Sequence, residues 1–216
     1  MLSDKTDTWV PVALAQDLPE GTVMPARTSA GSIALWRSQS GHVAASADRC
    51  PHRGMRLSHG FVRGESLSCI YHGWSYSQTG HCLRIPAHPG LVPPETIRVA
   101  TQAVEEAGGI VWVADGEPSD KPPLLEGYVP LRSLTVRARR AALAAAGATP
   151  VADAFVWRAP GATTMRLLPV PQEDDETLIH VLVPADCTAS ERITASRAAE
   201  SLRRMAERIE AKGSVS

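Results

Sequence analysis

Residues 50–76 read CPHRGMRLSHGFVRGESLSCIYHGWSY, and they hold the strongest signal in the sequence. Cys50 and His52 form a C-x-H motif, and after a gap of sixteen residues Cys69 and His72 form a C-x-x-H motif. Each motif supplies one thiol and one imidazole from a short segment. Thiolate sulfur and imidazole nitrogen are the ligands that proteins use for zinc, copper and iron–sulfur centres. The spacing predicts that two loops close on one metal centre.

The order of the ligands distinguishes two kinds of metal centre. Zinc also accepts two cysteines and two histidines, but its sites usually have C-x2–4-C followed by H-x3–5-H, with like residues together. Here each motif mixes the two types. A Rieske [2Fe-2S] cluster needs two cysteines on one iron and two histidines on the other, and one of each from both loops would hold both irons. We expect Gly54 and Gly73 to turn the backbone and bring N–H groups near the cluster sulfurs.

The segment resembles the cluster-binding segment of the α subunits of Rieske non-haem iron oxygenases. The resemblance extends over most of residues 9–118, and it includes WVPVA at 9–13, GHCLRIP at 80–86 and GIVWVADG at 109–116. It implies that Cys50 and Cys69 bind one iron of a Rieske 2Fe-2S cluster and that His52 and His72 bind the other. These four residues are the candidate cofactor and metal ligands, and no catalytic residue is assigned.

The resemblance is to the oxygenase branch rather than to the respiratory branch of Rieske proteins. The respiratory proteins add one cysteine in each loop and join the two by a disulfide, and those positions are Met55 and Tyr71 here. Trp74 stands where the respiratory loop has a hydroxyl donor. The resemblance therefore implies a reduction potential at the low end of the Rieske range, about −150 mV. The chain departs from the common oxygenase pattern at Ile70, where proline or glycine is frequent.

Composition and charge narrow the class of protein. The chain has 216 residues, 44% of them hydrophobic, and a formal net charge of −1. It has no basic stripe of the kind that binds nucleic acid, no apolar run near the ~20 residues that span a bilayer, and no signal-peptide pattern at its start. Four cysteines are too few for a disulfide framework. We expect a cytoplasmic protein that binds neither nucleic acid nor membrane.

The chain divides into two parts. Short β-type runs separated by turn signals fill residues 1–118 and predict an all-β domain, which the resemblance identifies as a Rieske 2Fe-2S domain. Residues 119–130 are proline-rich and predict a connector. Residues 131–216 predict a small α+β module, an antiparallel sheet with a C-terminal helix that is similar to a reduced helix-grip domain. In this module residues 154–159, 163–169 and 177–183 predict strands, and the Ala-rich stretch 136–148 favours a helix, although LTVRAR at 134–139 equally allows a strand.

The C-terminal helix has clear signals at its start and along one face. Thr188 and Glu191 match a capping box. Apolar residues at helical spacing predict a face packed against the sheet. The predicted face consists of Ile193, Ala198, Leu202, Met205 and Ile209.

Other reactive and aromatic residues receive structural interpretations. Cys82 and Cys187 are expected to be small, semi-buried thiols, since a free cysteine commonly behaves as a small hydrophobe. Phe61 and Tyr76 are expected to pack beneath the two loops.

The second half of the chain departs from the oxygenase α subunit. The resemblance requires a mononuclear iron held by two histidines and one carboxylate, but His180 is the only histidine after residue 88. A hand alignment places Thr149, Ala152 and Trp157 at the family's ligand positions, and none of them ligates iron in the required way. The resemblance therefore implies a shortened catalytic domain that lacks the mononuclear iron site.

Three functional hypotheses follow. The first is the Rieske 2Fe-2S electron-transfer component of a ring-hydroxylating or demethylating oxygenase system. It would pass single electrons from a reductase or ferredoxin to a mononuclear non-haem iron on a partner catalytic subunit. The second is a structural or redox-regulatory subunit of such a complex. The third is a small complete oxygenase with a divergent site that uses His180, Asp186 and water. Whether the chain is an enzyme by itself stays open, and the first hypothesis makes it an oxidoreductase component of a hetero-oligomer.

Overall fold

A computed structural model describes residues 8–118 and 120–213. The helices are α1 (Arg140–Ala145) and α2 (Ala189–Gly213). The strands are β1 (Thr8–Leu14), β2 (Val23–Thr28), β3 (Gly31–Arg37), β4 (Val43–Ala47), β5 (Phe61–Arg63), β6 (Ser66–Ser68), β7 (Ser75–Tyr76), β8 (Cys82–Arg84), β9 (Thr101–Gln102), β10 (Val104–Ala107), β11 (Ile110–Asp115), β12 (Tyr128–Val136), β13 (Thr149–Val151), β14 (Ala154–Trp157), β15 (Met165–Pro171) and β16 (Thr177–Pro184).

The chain forms two compact units. The first contains the residues up to Ala107 together with Val111–Pro122, and the second contains Gly108–Ile110 and the residues from Pro123 onward. The first unit has three sheets, with strand orders β1-β11-β10, β2-β3-β4-β9 and β5-β6-β7-β8. The second unit has one five-stranded sheet, in the order β12-β16-β15-β14-β13.

Strand β3 is buried on both of its faces. Successive side chains of a strand point to opposite sides. Ile33 and Leu35 join the apolar cluster that also contains Val111, whereas Ala34 and Trp36 join a second cluster. That second cluster includes the cysteines of both motifs, so β3 forms part of the support beneath them.

The second unit packs α1 and α2 against its antiparallel sheet. Among the described residues no helix is long and apolar enough to cross a membrane. The predicted fold class, an all-β domain followed by a small α+β module with an antiparallel sheet and a C-terminal helix, is confirmed.

Three sequence-based details of the second unit were wrong. The predicted connector, residues 119–130, ends too late, because Tyr128 already begins β12 and pairs with Pro184. The sheet has five strands instead of three, since β13 was not predicted as a strand and the end of β12 was covered only by the alternative that allowed a strand at 134–139. The Ala-rich helix is short, because residues up to Val136 pair with β16 and only Arg140–Ala145 are helical.

The capping box of α2 is present. The Glu191 N–H donates to the Thr188 hydroxyl (3.3 Å), and the Thr188 N–H donates to the Glu191 carboxylate (2.8 Å). These two bonds satisfy backbone donors that the first helical turn leaves unpaired.

The buried face of α2 differs from the predicted one. Ile193 is 54% exposed, and Met205 and Ile209 are 36% exposed each. Small side chains let the helix lie close to the sheet, so larger apolar residues are displaced to the margins. The buried residues are Ala195, Ala198, Ala199, Leu202 and Ala206.

We expect Ala206→Leu to destabilise the protein by about 1–3 kcal/mol, because the close helix–sheet contact has no room for three more carbon atoms. Ala206 is fully buried, whereas Ala211 on the same helix is exposed. Urea unfolding followed by circular dichroism measures the effect, with Ala211→Leu as the matched control. Equal unfolding midpoints for the two variants would contradict the close packing.

Candidate functional site

The C-x-H motif lies in a hydrogen-bonded loop, residues 50–55, which follows β4 and is called loop 1. The Cys50 N–H donates to the Met55 carbonyl (2.8 Å), and the Gly54 N–H donates to the Cys50 carbonyl (2.8 Å). The loop therefore returns on itself within six residues, with the cysteine at its base.

The C-x-x-H motif lies in a second loop of the same form, residues 69–74, which joins β6 to β7 and is called loop 2. The Cys69 N–H donates to the Trp74 carbonyl (2.9 Å), and the Gly73 N–H donates to the Cys69 carbonyl (3.0 Å). Counted from its cysteine, each loop has glycine at the fifth position. This equivalence is visible in the sequence once the cysteines, rather than the histidines, are aligned.

Glycine at these positions has a backbone role, as expected, but a different partner. Gly54 and Gly73 have φ angles of 72° and 71°, a region that other residues rarely adopt. Their own N–H groups bond to the cysteine carbonyls, and the backbone groups that bond to the Cys69 sulfur are those of Tyr71 and His72. The ring of Pro86 also lies 3.0 Å from the place that a Cβ of Gly73 would take.

The two thiols are buried and adjacent. Cys50 and Cys69 are each 2% exposed and belong to the same apolar cluster, and their thiols lie close enough to interact electrostatically. Burial and the Cys50 thiol raise the pKa of Cys69, and backbone hydrogen bonds from Tyr71 and His72 oppose the increase. Those backbone bonds favour the thiolate, which is the form that binds metal.

The two imidazoles lie together on the outer side of the loops. The ring centroids of His52 and His72 are 4.7 Å apart, in an edge-on arrangement. His52 is partly exposed and His72 is exposed. Partial burial, followed by the charges of His72 and Arg53, lowers the pKa of His52 and so favours neutral imidazole, the form that ligates metals.

An aromatic ring contacts each imidazole. Trp74 stacks on His52 with a centroid distance of 4.4 Å and an angle of 4° between the ring planes. Tyr71 contacts His72 with a centroid distance of 3.9 Å and an angle of 36°. Such contacts restrict ring rotation and help to orient the imidazoles.

The donor set fits a cluster with two iron atoms. The structure brings all four predicted ligands together as a buried thiol pair and an exposed imidazole pair. Two cysteines for one iron and two histidines for the other is the ligand set of a Rieske centre. Within the described residues, no group of three or more histidine, cysteine, aspartate or glutamate side chains is arranged to hold a single metal ion.

Tyr76 contributes to the site in a way that the sequence reasoning missed. Its hydroxyl lies 3.1 Å from the Cys50 sulfur, and burial, followed by contact with Cys50, raises the pKa of Tyr76 far above its ordinary value. A metal-bound cysteine has no proton, so the neutral hydroxyl must be the donor to the sulfur. The expectation of a low potential rested on the missing disulfide and on Trp74 at the place of a hydroxyl donor, and it did not count the hydroxyl that Tyr76 supplies. The signal for this contact in the sequence was that Tyr76 lies two residues after Trp74, on the strand that follows loop 2.

A buried carboxylate supports loop 1 from below. Asp48 is 7% exposed, and its two oxygens accept hydrogen bonds from the N–H and the hydroxyl of Ser58, both at 2.7 Å. Asp48 follows β4, and Ser58 lies just beyond loop 1. These bonds connect the segments that enter and leave the loop.

Two side chains near the loops have structural environments. Cys82 is 7% exposed and pairs across the sheet with Tyr76, and burial raises the pKa of its thiol. Its sulfur donates to the Arg84 carbonyl at 3.7 Å. Phe61, which was expected to pack beneath the loops, is 37% exposed and contacts the Arg63 guanidinium instead.

The second unit holds its histidine within the sheet. His180 is 1% exposed, and its Nδ1 lies 2.9 Å from the Ser133 hydroxyl. Asp186 is exposed beyond the end of β16. The positions aligned with the family's iron ligands fall in and around the β13–β14 hairpin, at Thr149, Ala152 and Trp157. A cavity of about 460 Å³ elsewhere in this unit is lined by Thr135, Arg137, Glu176, Arg203 and Glu207.

Comparison with known families and sequences identifies relatives of the first unit. Residues 8–101 match the family described as the Rieske [2Fe-2S] domain. Oxidoreductase NdmD of Pseudomonas putida is 44% identical over 115 residues, which cover 53% of this chain and 20% of the relative. The 4beta-methylsterol monooxygenase of Methylococcus capsulatus is 38% identical over 133 residues, covering 56% of this chain and 36% of the relative. The chain thus spans about a fifth to a third of the length of these relatives.

Comparison with solved structures extends the similarity of fold to both units. The crystal structure of dicamba monooxygenase bound to dicamba aligns with a TM-score of 0.75 and 17% sequence identity. The alignment covers 97% of this chain and 88% of that chain. At such an identity the match shows a shared fold.

We expect Tyr76→Phe to lower the reduction potential of the cluster. A hydrogen bond to a ligand sulfur stabilises the more negative, reduced state. If it is worth roughly 0.5–1.5 kcal/mol more in that state, its loss lowers the potential by about 20–65 mV for one electron. Redox titration followed by EPR measures the shift.

Tyr71→Phe is the matched control for this prediction. It also removes one phenolic hydroxyl, but the ring beside His72 remains and no ligand sulfur loses a donor. A shift of the same size in both variants would show that the Tyr76 hydroxyl has no specific effect on Cys50.

Proposed function

We propose that this chain, whose residues 8–101 are a Rieske [2Fe-2S] domain, is the electron-transfer component of a Rieske-type non-haem iron oxygenase system. It receives single electrons from a reductase or ferredoxin and delivers them to a mononuclear iron on a partner catalytic subunit. The reaction of the system is ring hydroxylation or demethylation. The observation that carries the proposal is the division of the site into buried thiols and exposed imidazoles.

The four side chains at the loops have separate roles in this proposal. Cys50 and Cys69 hold one iron inside the domain, and His52 and His72 hold the other at its surface. When bound, a Rieske cluster accepts and releases one electron at a time. The exposed imidazole edge provides the short path to a partner, whereas the buried thiols are kept from water.

The need for a partner subunit follows from the residues of the second unit. A mononuclear oxygenase iron takes two histidines and one carboxylate. His180 is the only histidine after residue 88, and it is bonded to Ser133 within the sheet. These residues supply no such site, and we therefore propose that the iron that receives the electron lies outside them, on a partner subunit.

The relatives support this function because they include more than one kind of protein. One is named an oxidoreductase and another a monooxygenase, and their similarity to this chain covers only about half of it. A Rieske domain is thus used in proteins with different additional parts, as expected for a unit whose contribution is electron transfer.

Metal analysis of anaerobically purified protein tests the cofactor. We expect two irons and two acid-labile sulfides per chain, with a Rieske-type EPR signal in the reduced state. A third iron per chain would favour a complete small oxygenase with its own mononuclear site. Zinc without sulfide would contradict the proposal.

Substitution of a surface ligand tests the function. We expect His72→Ala or His52→Cys to abolish turnover by the partner subunit, because the iron nearest the surface loses an imidazole ligand, and a thiolate in its place would make a cluster of much lower potential. His59→Ala is the control, since His59 is also exposed in the same domain but lies outside both loops. Substrate-dependent oxygen consumption by the reconstituted system measures turnover.

The outcome separates the remaining hypotheses. Full turnover with either ligand variant would refute electron transfer through this site. If the variants still bind the partner stably and its turnover is unchanged, the chain is a structural or regulatory subunit.

A further inference from the structure

We propose that the exposed surface around loops 1 and 2 is the docking site for an electron donor whose own docking surface carries carboxylates. This surface is called the loop face, and it consists of Arg49, Arg53, Ile70, Tyr71 and Arg84. The inference rests on the proposed function and adds the surface chemistry of the electron donor.

Positive charge is concentrated in the segment that forms the site. Residues 49–98 contain six arginines and two glutamates, whereas the whole chain has a formal net charge of −1. One of those glutamates, Glu65, is occupied by hydrogen bonds from Ser40 and Gln78. The nearby carboxylate of Asp48 is buried and bonded to Ser58. The segment therefore presents a cationic surface on a nearly neutral chain.

Three of these arginines lie beside the loops. Arg53 follows His52 directly within loop 1, and the Arg49 guanidinium lies 3.4 Å from the place that a Cβ of Gly54 would take. Arg84 is paired across the sheet with Ser75, the residue that follows loop 2.

The charges of these arginines are not neutralised by neighbouring carboxylates. All three are exposed, and within the described part of the chain none of them forms an ion pair with aspartate or glutamate. By contrast, Arg203 of α2 bonds to two glutamates. Unpaired charges on an exposed surface cost the unbound protein little free energy, and they attract a partner of opposite charge over several ångströms.

A small apolar area lies among these charges. Ile70 and Tyr71 precede His72 in loop 2, and each is 56% exposed. Transient redox complexes have small interfaces, and an interface generally combines an apolar centre with a polar rim. The loop face has this composition around the imidazole edge.

The chemistry of the loop face fits a donor that binds briefly better than it fits a permanently attached subunit. A permanent interface is large and predominantly apolar, whereas complementary charge mainly accelerates association. A donor that must arrive, transfer one electron and leave benefits most from that effect.

Stopped-flow reduction of the holoprotein tests the proposal. The probe is a pre-reduced plant-type [2Fe-2S] ferredoxin with an acidic surface, whose potential is low enough to reduce a Rieske cluster. For Arg53→Glu/Arg84→Glu we expect the second-order rate constant at low salt to fall by at least about tenfold. Raising the ionic strength from about 0.01 to 1 M should slow the unchanged protein and have little effect on this variant, since the Debye length falls from about 30 to 3 Å.

The matched control is Arg197→Glu/Arg208→Glu, which changes the total charge equally at exposed positions on α2. We expect this control to keep most of the rate. At 1 M ionic strength, where surface charge is screened, reduction by dithionite, a small anionic reductant that needs no protein docking, should be similar in all three proteins. EPR of a separate, fully reduced sample of each protein verifies that each contains the cluster.

Each result has a defined meaning. Equal slowing of the two double variants would refute the loop face and leave only an effect of net charge. An unchanged rate in Arg53→Glu/Arg84→Glu with an intact cluster would also refute it, while the proposed electron-transfer function stands. Failure of the unchanged protein to assemble a cluster would refute the proposed function itself.

Discussion

The site depends on one backbone constraint that occurs twice. In each loop a cysteine carbonyl accepts a hydrogen bond from a glycine four residues later, and that glycine adopts a left-handed conformation, at Gly54 and at Gly73. This closure places the cysteine at the base of the loop, in the core. It also brings the residues at the tip, including the histidines, to the surface. The separation of thiols from imidazoles thus results from the main chain.

The residues around the loops adjust this basic arrangement. Asp48 connects the segments on either side of loop 1, and Trp74 restricts the orientation of His52. The Tyr76 hydroxyl contacts the buried Cys50 thiol. Orientation of the imidazoles and polarity around the sulfurs are therefore controlled by different residues. The two properties can vary independently among domains with the same loops.

The grouping of the four candidate ligands was predictable because their side-chain chemistry and spacing suffice to single them out. The contact of Tyr76 with a ligand was not, since it depends on the pairing of two-residue β7 with β8, which local sequence does not determine. The strand β13 was missed because it is only three residues long and follows an Ala-rich segment with the composition of a helix, whereas the end of β12 coincides with the strand that LTVRAR at 134–139 allowed. The packing face of α2 was wrong since hydrophobicity favours Ile193 and Met205, whereas close packing favours alanine.

Alanine on the buried face of α2 affects the entropy of folding. Four of the five buried positions on this helix are alanine. An alanine side chain has no rotamers to lose, whereas a buried methionine or lysine loses about 1.5–2 kcal/mol of rotamer freedom. Small domains bury a limited fraction of their surface and so have little free energy to offset such losses. The second unit is thus stabilised by the area that it buries and also by the small loss of side-chain entropy when these alanines become buried.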